Sequence, residues 1–417
     1  MLGRSNLITM TVMTEPRPQI DRRGSARHGV AFWLIAAVFL VSLAFSTVPA
    51  PLYPLYQQRD GFSSFAVTIV FAVYAVGVVT SLLLAGHVSD WAGRRRILLP
   101  ALAIEIVAAL LFLFWPTLPV LIAARFLTGL GVGLITATAT AYLLELHTAH
   151  RPAATRTRFE VVSAAANLGG LGTGTLVAGA LAQFAPAPLR TSYVVFLVLL
   201  VLGVVAVAAV PETVSAPAAR PAYRPQRIRV AGDHRIAFAV AAAGAFVAFA
   251  VFGLFTSLAP GFVSGSLHHT SRLLAGAITF LVFAAGAGMQ AAPGRRGFGT
   301  GLAAEAAGLV VLATGVQATS LWLFLAGGAI AGAGAGIMFK SAVGTVAGMA
   351  AAHQRGETLA GLFLFGYLGL IGPVLGLGIA TRYVASTTAM LWFSGFLLAL
   401  LGGIALLRRL SAAPPAA

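Results

Sequence analysis

A short charged turn between two long apolar runs constrains this chain more than any other feature. The first run, residues 65–85, carries no charged side chain, and the second, residues 97–115, carries one. The turn between them contains Asp90 and three consecutive arginines, Arg94 to Arg96, and two glycines. A membrane-spanning helix needs about 20 apolar residues, and glycine lets the backbone turn sharply. The pattern therefore predicts two membrane-spanning helices joined by a tight charged turn.

The composition of the whole chain also indicates a membrane protein. Of the 417 residues, 59% are hydrophobic and 9% are charged, whereas soluble domains carry roughly 25% charged residues. The net charge of +16 comes from residues that lie between apolar runs and form no continuous basic stripe, so we do not expect nucleic-acid binding. The chain has no cysteine, which excludes disulfides and thiolate metal sites. We expect neither a metal nor a cofactor.

Apolar runs of sufficient length predict twelve spans, numbered 1 to 12 in chain order. The first six are predicted at Val30–Val48, Phe65–Ala85, Ile97–Trp115, Leu118–Tyr142, Val161–Phe184 and Thr191–Val210. The second six are predicted at Ile236–Leu258, Leu273–Met289, Phe298–Val316, Leu321–Phe339, Thr358–Ala380 and Ala385–Leu407.

The polar stretches between and beyond the spans predict the domain organisation. Residues 212–235 are rich in proline and arginine and predict a flexible linker between two six-helix halves, 29–211 and 236–408. Residues 1–28 are polar and are predicted to be disordered, and residues 409–417 are predicted to form a tail.

Arginine placement predicts the orientation, because cytoplasmic loops of membrane proteins carry an excess of arginine and lysine. Alternate loops hold most of the arginines (Arg94–Arg96, Arg151, Arg156, Arg158, Arg220, Arg224, Arg227, Arg229, Arg235, Arg295, Arg296, Arg355, Arg408 and Arg409). The remaining loops hold only Arg59, Arg190, Arg272 and Arg382. We therefore expect both termini in the cytoplasm and the chain in a plasma membrane, the inner membrane of a bacterium.

Glycine spacing indicates where helices approach closely, because small residues let helix backbones pack together in lipid. The two halves share a pattern, with Gly129 and Gly133 in span 4 matched by Gly332 and Gly336 in span 10. The other predicted packing positions are Gly170 and Gly174 in span 5 and Gly372 and Pro373 in span 11. These surfaces either pack statically or allow helices to slide.

The turn residues Gly86, Asp90, Gly93, Arg94 and Arg95 resemble the loop between helices 2 and 3 of the major facilitator superfamily of transporters. The resemblance covers residues 29 to 408 and implies an all-α membrane fold of two pseudo-symmetric six-helix bundles around one substrate cavity.

The resemblance also implies that Glu145 and the Pro-Glu-Thr sequence at Glu212 join the turn in a cytoplasmic conformational latch, made in one state and broken in another. The alternative is that these arginines only set the topology.

Further candidates concern proton coupling and the cavity. Arg125, in span 4, matches an arginine that is linked to proton transfer in proton-coupled relatives; the alternatives are snorkelling to headgroups and a structural bond to carbonyls. Glu105 and Glu305 lie within spans 3 and 9, where desolvation penalises a charged carboxylate, but these helices are peripheral in the fold. Asn167 is a polar candidate for the cavity.

The other polar cavity candidates are Gln290, at the inner end of span 8, and Tyr367, in span 11. Span 5 lacks the proline of the antiporter motif, which weakens the case for proton-driven export. The spans contain neither a pair of residues at metal-ligand spacing nor a Gly-x-Ser-x-Gly sequence, so nothing in them indicates a membrane enzyme.

The sequence predicts a proton-coupled secondary transporter that exports small amphipathic or drug-like solutes. Uptake of a sugar or an organic acid by the same fold is the alternative, and a non-transporting membrane receptor or scaffold is the alternative of another class. The expected partners are a small-molecule solute, H⁺ and membrane lipids, and we expect the chain to act as a monomer.

Overall fold

The computed structural model describes residues 22–214, 223–226, 234–292, 294, 296–349 and 355–412. Within these ranges the chain is helical and contains no strand, and twelve helices are long and apolar enough to cross a membrane. The prediction of an all-α membrane protein with twelve spans is confirmed. The predicted amino-terminal segment up to residue 21 and most of the linker lie outside the described residues.

The first half contains spans 1 to 6. Their helices are Arg22–Thr47, Ser64–Ala85, Arg94–Phe114, Leu118–His150, Thr157–Phe184 and Pro188–Ala209. Span 1 continues through a 3₁₀ turn, Ala50–Leu52, into the helix Tyr53–Asp60, and span 5 contains a π-helical turn, Ala165–Gly169. A four-residue helix, Ser89–Ala92, lies in the turn between spans 2 and 3.

The second half contains spans 7 to 12. Their helices are Arg235–Ser257, Arg272–Ala291, Phe298–Gln317, Leu321–Met349, Arg355–Ala380 and Ser386–Ala412. Span 7 is followed by a short helix, Ala259–Gly265, as span 1 is followed by Tyr53–Asp60. The two halves therefore share this short helix in addition to the glycine spacing of spans 4 and 10.

Several helix ends differ from the predicted ends. Span 1 begins at Arg22, so residues 22–28 are helical and not disordered as predicted. Span 4 extends from the predicted Tyr142 to His150, and span 10 from the predicted Phe339 to Met349. Both extensions include polar residues because a helix can continue beyond the apolar layer, where water satisfies its polar side chains.

Local sequence explains where the helices begin. The Ser63 hydroxyl accepts a hydrogen bond from the Ala66 N–H (3.1 Å), and the Ser271 hydroxyl accepts one from the Leu274 N–H (3.2 Å). Both serines are N-caps, which satisfy a backbone donor that has no partner in the first turn of a helix. Ser63 thus begins span 2, and Ser271 begins span 8.

The two halves meet along spans 2 and 11 and along spans 5 and 8. We call the side where Arg94, Arg158 and Arg408 lie the arginine-rich side, and the other the opposite side. On the opposite side the halves are in direct contact, because the Arg272 N–H donates to Gln183 Oε1 (2.9 Å) and Arg272 Nη1 donates to the Ala182 carbonyl oxygen (2.9 Å).

Candidate functional site

The charge cluster, defined as Asp90, Arg94, Glu145 and Glu212, lies at the arginine-rich end of the first half. Arg94 is at its centre, with 7% of its side chain exposed. Its Nη1 donates to Asp90 Oδ1 (2.6 Å), and its Nη2 donates to Glu145 Oε1 (2.7 Å). The structure thus brings the motif's acid and first arginine together with the acid at the end of span 4.

Glu212 joins the charge cluster through backbone groups. Its Oε1 accepts the N–H of Arg94 (2.9 Å), and its Oε2 accepts the N–H of Arg95 (3.1 Å). A carboxylate is favourable at a helix N-terminus, where unpaired N–H groups carry partial positive charge. Glu212 therefore caps span 3, and the chain leaving span 6 is fixed to the start of span 3.

Gly93 makes this capping contact possible. Its φ is +105°, a conformation that favours glycine, and a Cβ at this position would lie 2.6 Å from Glu212 Oε2. Thr213 completes the arrangement, since its hydroxyl donates to Glu145 Oε2 (2.5 Å). The glycine of the motif is thus required by the carboxylate that packs against it.

The described partners of the charge cluster lie in the first half of the chain or directly after it, at Thr213 and Val214. Arg94 also donates to the Ser89 hydroxyl (2.7 Å), and the carbonyl of Pro211 accepts from the Tyr142 hydroxyl (2.5 Å). The side chain of Arg95 forms no ion pair among the described residues, so only its backbone takes part. The charge cluster is intact in a structure in which spans 5 and 8 are in contact on the opposite side.

A central cavity lies between the two halves, with an empty volume of about 790 Å³. Arg125 and Asn167 line it from the first half and Tyr367 from the second, so the structure brings these three predicted residues together. Six phenylalanines form most of the aromatic wall: Phe71, Phe249, Phe252, Phe283, Phe339 and Phe363.

Arg125 is buried, with 2% of its surface exposed. Its Nη1 donates to the Ser46 carbonyl oxygen of span 1 (2.5 Å), and its guanidinium carbon lies 4.3 Å from the centroid of the Tyr74 ring. The side chain therefore turns inward to the cavity wall and does not snorkel to headgroups. Nothing in the sequence marked Tyr74 as a site residue, because its contact with Arg125 is apparent only from the fold.

A crevice on the arginine-rich side adjoins the central cavity. It lies between spans 2 and 11, lined by Leu82, Gly86 and Gly356 among others, and it shares Phe363 and Tyr367 with the cavity. These two side chains therefore stand where the crevice and the cavity meet. A separate vestibule on the opposite side shares no lining residue with the cavity.

Glu105 and Glu305 do not line the cavity. Both have no exposed surface; Glu105 packs against Gly131 of span 4 and Glu305 against Gly334 of span 10. The positions correspond in the two halves, and each carboxyl lies between two helices of its own half. Neither glutamate is among the residues that line the cavity with Arg125, Asn167 and Tyr367.

The predicted packing glycines fall into two groups. In the first group, a Cβ would lie within 3 Å of a neighbouring helix, and these are Gly129 and Gly133 against span 2, Gly170 and Gly174 against span 1, and Gly332 and Gly336 against span 8. Gly372 is different, because a Cβ there would meet no atom within 4 Å, and it lines a recess with Pro373. The close packing expected of that pair is absent at Gly372.

Known structures share this fold. The solved human organic anion transporter MFSD10 (TETRAN) superposes with a TM-score of 0.62 and 17% identity, over 90% of this chain and 99% of that chain. A solved form of the nucleoside transporter NupG superposes with a TM-score of 0.65 and 13% identity, over 91% and 99%. At these identities the likeness shows the fold alone.

Sequence relatives match only in part. Multidrug resistance protein MdtL of Escherichia coli is 38% identical over 65 residues, which are 16% of this chain and 17% of that protein, and MdtL of Shigella boydii matches equally. The match thus covers about one sixth of the length of these curated relatives. The model of the Major Facilitator Superfamily matches residues 34–295, more than half of the chain. With its twelve spans and its central cavity between two halves, this multi-pass membrane protein belongs to the Major Facilitator Superfamily of transporters.

Proposed function

We propose that the protein exports small amphipathic solutes from the cytoplasm by alternating access, coupled to protons. The observation that carries the proposal is one cavity built from both halves, with a crevice leading to the arginine-rich side and direct contact between the halves on the opposite side. A site between two rigid halves can be exposed to either side when the halves rock about it.

The arginine bias assigns the arginine-rich side to the cytoplasm. Twelve crossings then leave both termini on that side. A solute entering from the cytoplasm would pass Gly86 and Gly356 in the crevice and reach the cavity beyond Phe363 and Tyr367. An exported solute would enter the protein by this route.

The cavity wall supports an amphipathic solute over a free sugar. Sugar sites need several hydrogen-bonding groups, whereas apolar pockets with few placed polar groups suit hydrophobic ligands. The partial match to MdtL, a multidrug resistance protein, agrees with export of such compounds.

The charge cluster is proposed to be the conformational latch. It holds the turn before span 3, the end of span 4 and the exit of span 6 together, so it stiffens the arginine-rich end of the first half. Breaking it would let these three elements move relative to one another as the crevice opens and closes.

Flux through the purified protein in proteoliposomes tests the proposal. Amphipathic dyes of positive, neutral and negative charge would be loaded with and without an imposed pH gradient. We expect flux of at least one dye, accelerated by the gradient. A flux that does not change with the pH gradient would contradict proton coupling. The absence of flux for every dye would contradict transport of such solutes.

Two variants connect the latch to turnover. Asp90→Asn and Arg94→Ala should slow flux per folded molecule, so the flux of each variant is normalised to its amount of folded protein. Glu160→Gln is the matched control, because Glu160 is an exposed acid on the same side of the protein. Unchanged flux in both cluster variants would remove the latch assignment.

A further inference from the structure

The central cavity contains one charged group, and that group is positive. Among the described lining residues, only Arg125 has a charged side chain; the other seventeen are leucines, aromatic residues, serine, threonines and one asparagine. The ion pairs found in the described part of the chain involve Arg59 and Arg94, and Arg125 takes part in none of them.

The guanidinium of Arg125 is held in place but is not saturated with partners. The Ser46 carbonyl oxygen accepts from Nη1, and the Tyr74 ring covers one face. Its Nε is buried and has no hydrogen-bond partner among the described residues. A buried cation without a counter-charge is costly, so an anion that entered the cavity would supply what the protein itself does not.

Two further polar groups lie on the same cavity wall. Asn167 belongs to the π-helical turn Ala165–Gly169, and such turns occur frequently at functional sites. The Thr136 hydroxyl is buried without a hydrogen-bond partner among the described residues. An amide and a hydroxyl can both donate hydrogen bonds to an anionic oxygen.

The rest of the wall suits a flat aromatic body. Phe252 and Phe283 are stacked with ring centroids 4.7 Å apart. Phe249 meets Phe339 edge-on at 5.0 Å and Tyr367 at 5.4 Å. Aromatic rings favour offset-stacked and edge-to-face partners, and this wall offers both.

We infer that the cavity binds an aromatic monoanion, with its negative group on Arg125 and its ring system among the phenylalanines. The inference rests on the proposed function only in taking the bound anion to be the transported solute. One negative charge matches the one cation, whereas a second would have no partner and a cationic ligand would be repelled. A membrane potential that is negative inside also drives an anion outward, in the direction proposed for export.

Three naphthalene probes of similar shape and different charge test the inference. They are 1-naphthoate, 1-naphthamide and 1-naphthylmethylammonium, titrated onto the purified full-length protein in detergent by calorimetry. We expect 1-naphthoate to bind at least 10-fold more tightly than the other two. Equal binding of the three probes, tighter binding of the amine, or no binding of 1-naphthoate at millimolar concentration would each overturn the inference.

Variants locate the preference at the cavity. Asn167→Asp places a carboxylate on the wall with almost no change of shape, and it should weaken 1-naphthoate at least 10-fold and strengthen the amine. Gln317→Glu makes the same chemical change at an exposed position and should leave both affinities unchanged. An anion preference that survives Asn167→Asp unchanged would overturn the placement of the site.

Substitution of Arg125 provides a second, independent test. Arg125→Lys should keep a weakened preference for 1-naphthoate, and Arg125→Gln should remove the preference. Because Arg125 also bonds to span 1, folding is verified by size-exclusion chromatography, and the wild-type and Asn167→Asp titrations decide the question if Arg125→Gln does not fold.

The proposed function and this inference fail in different experiments. If 1-naphthoate binds with the expected preference but no probe crosses the membrane in proteoliposomes, transport fails and the binding inference stands. If the neutral or cationic probe is transported in preference to 1-naphthoate, the inference fails and the transporter assignment stands.

Discussion

Gly174 offers a quantitative test of how the helices of the first half are packed. A Cβ at this position would overlap the carbonyl oxygen of Ala44 and would lie 2.5 Å from Thr47 Oγ1. Thr47 also donates to the Leu171 carbonyl oxygen (2.7 Å), a hydrogen bond that joins spans 1 and 5. Gly174→Ala must therefore push these two helices apart.

The cost follows from three contributions. Overpacking costs roughly 1–3 kcal/mol, and loss of the Thr47–Leu171 hydrogen bond costs about 1 kcal/mol. Alanine in place of glycine within a helix stabilises the helix by about 1 kcal/mol, which offsets part of this loss. Gly174→Ala should thus lower the free energy of unfolding by about 2 kcal/mol, or about 30-fold in the unfolding equilibrium constant.

The assay is reversible unfolding in mixed micelles with increasing denaturing detergent. The matched control is Gly395→Ala in span 12, since Gly395 is exposed and a Cβ there would meet no atom within 4 Å. The control should leave stability unchanged or raise it by up to about 1 kcal/mol. If the two variants differ by less than about 0.5 kcal/mol, the close approach of spans 1 and 5 is refuted.

Five further substitutions test other parts of the structure. Arg94→Ala removes both ion pairs of the charge cluster and should destabilise the protein by about 2 kcal/mol, whereas Arg95→Ala should cost less than about 0.5 kcal/mol; thermal unfolding compares them, and equal losses would argue against the central position of Arg94. Glu212→Gln keeps one acceptor oxygen of the cap and should cost about 1 kcal/mol in the same assay, and an unchanged transition would contradict the cap. Phe363→Cys, in a chain without native cysteine, should react with a membrane-impermeant maleimide faster from the arginine-rich side, and faster reaction from the other side would contradict the crevice. Glu305→Gln should leave the pH profile of flux unchanged because Glu305 lies off the cavity, and a shifted profile would make it a proton carrier.

The spans were predictable from sequence because lipid leaves the backbone no hydrogen-bonding partner other than itself. Any long apolar run must therefore be helical, and all twelve were found. Their ends were less predictable, since apolarity marks only the part of a helix inside the membrane. Span 4 continues through Glu145 and His147, and this continuation places Glu145 within reach of Arg94.

The sequence predicted which residues form the charge cluster but not how they contact one another. The spacing of the motif indicated that Asp90 and Arg94 act together, and their side chains are paired in the structure. The capping of span 3 by Glu212 was not predictable, because it joins residues 118 positions apart in sequence. Nor does the sequence distinguish Arg94, whose side chain is enclosed, from Arg95, which contributes its backbone.

Glycine spacing predicted helix contacts without saying which glycines make them. Gly174 and Gly372 look alike in sequence, but one lies against span 1 and the other faces a recess. The π-helical turn that carries Asn167, Ala165–Gly169, has no recognisable signal in the sequence.

The most direct test of the account measures two distances in the same protein. Spin labels on Gln58→Cys and Gly265→Cys report the separation of the halves on the opposite side, and labels on Arg156→Cys and Thr345→Cys report it on the arginine-rich side. Double electron–electron resonance measures both distances with and without a transported solute, and one distance should increase as the other decreases. If both distances stay fixed, or if both increase together, the halves do not alternate about the central cavity.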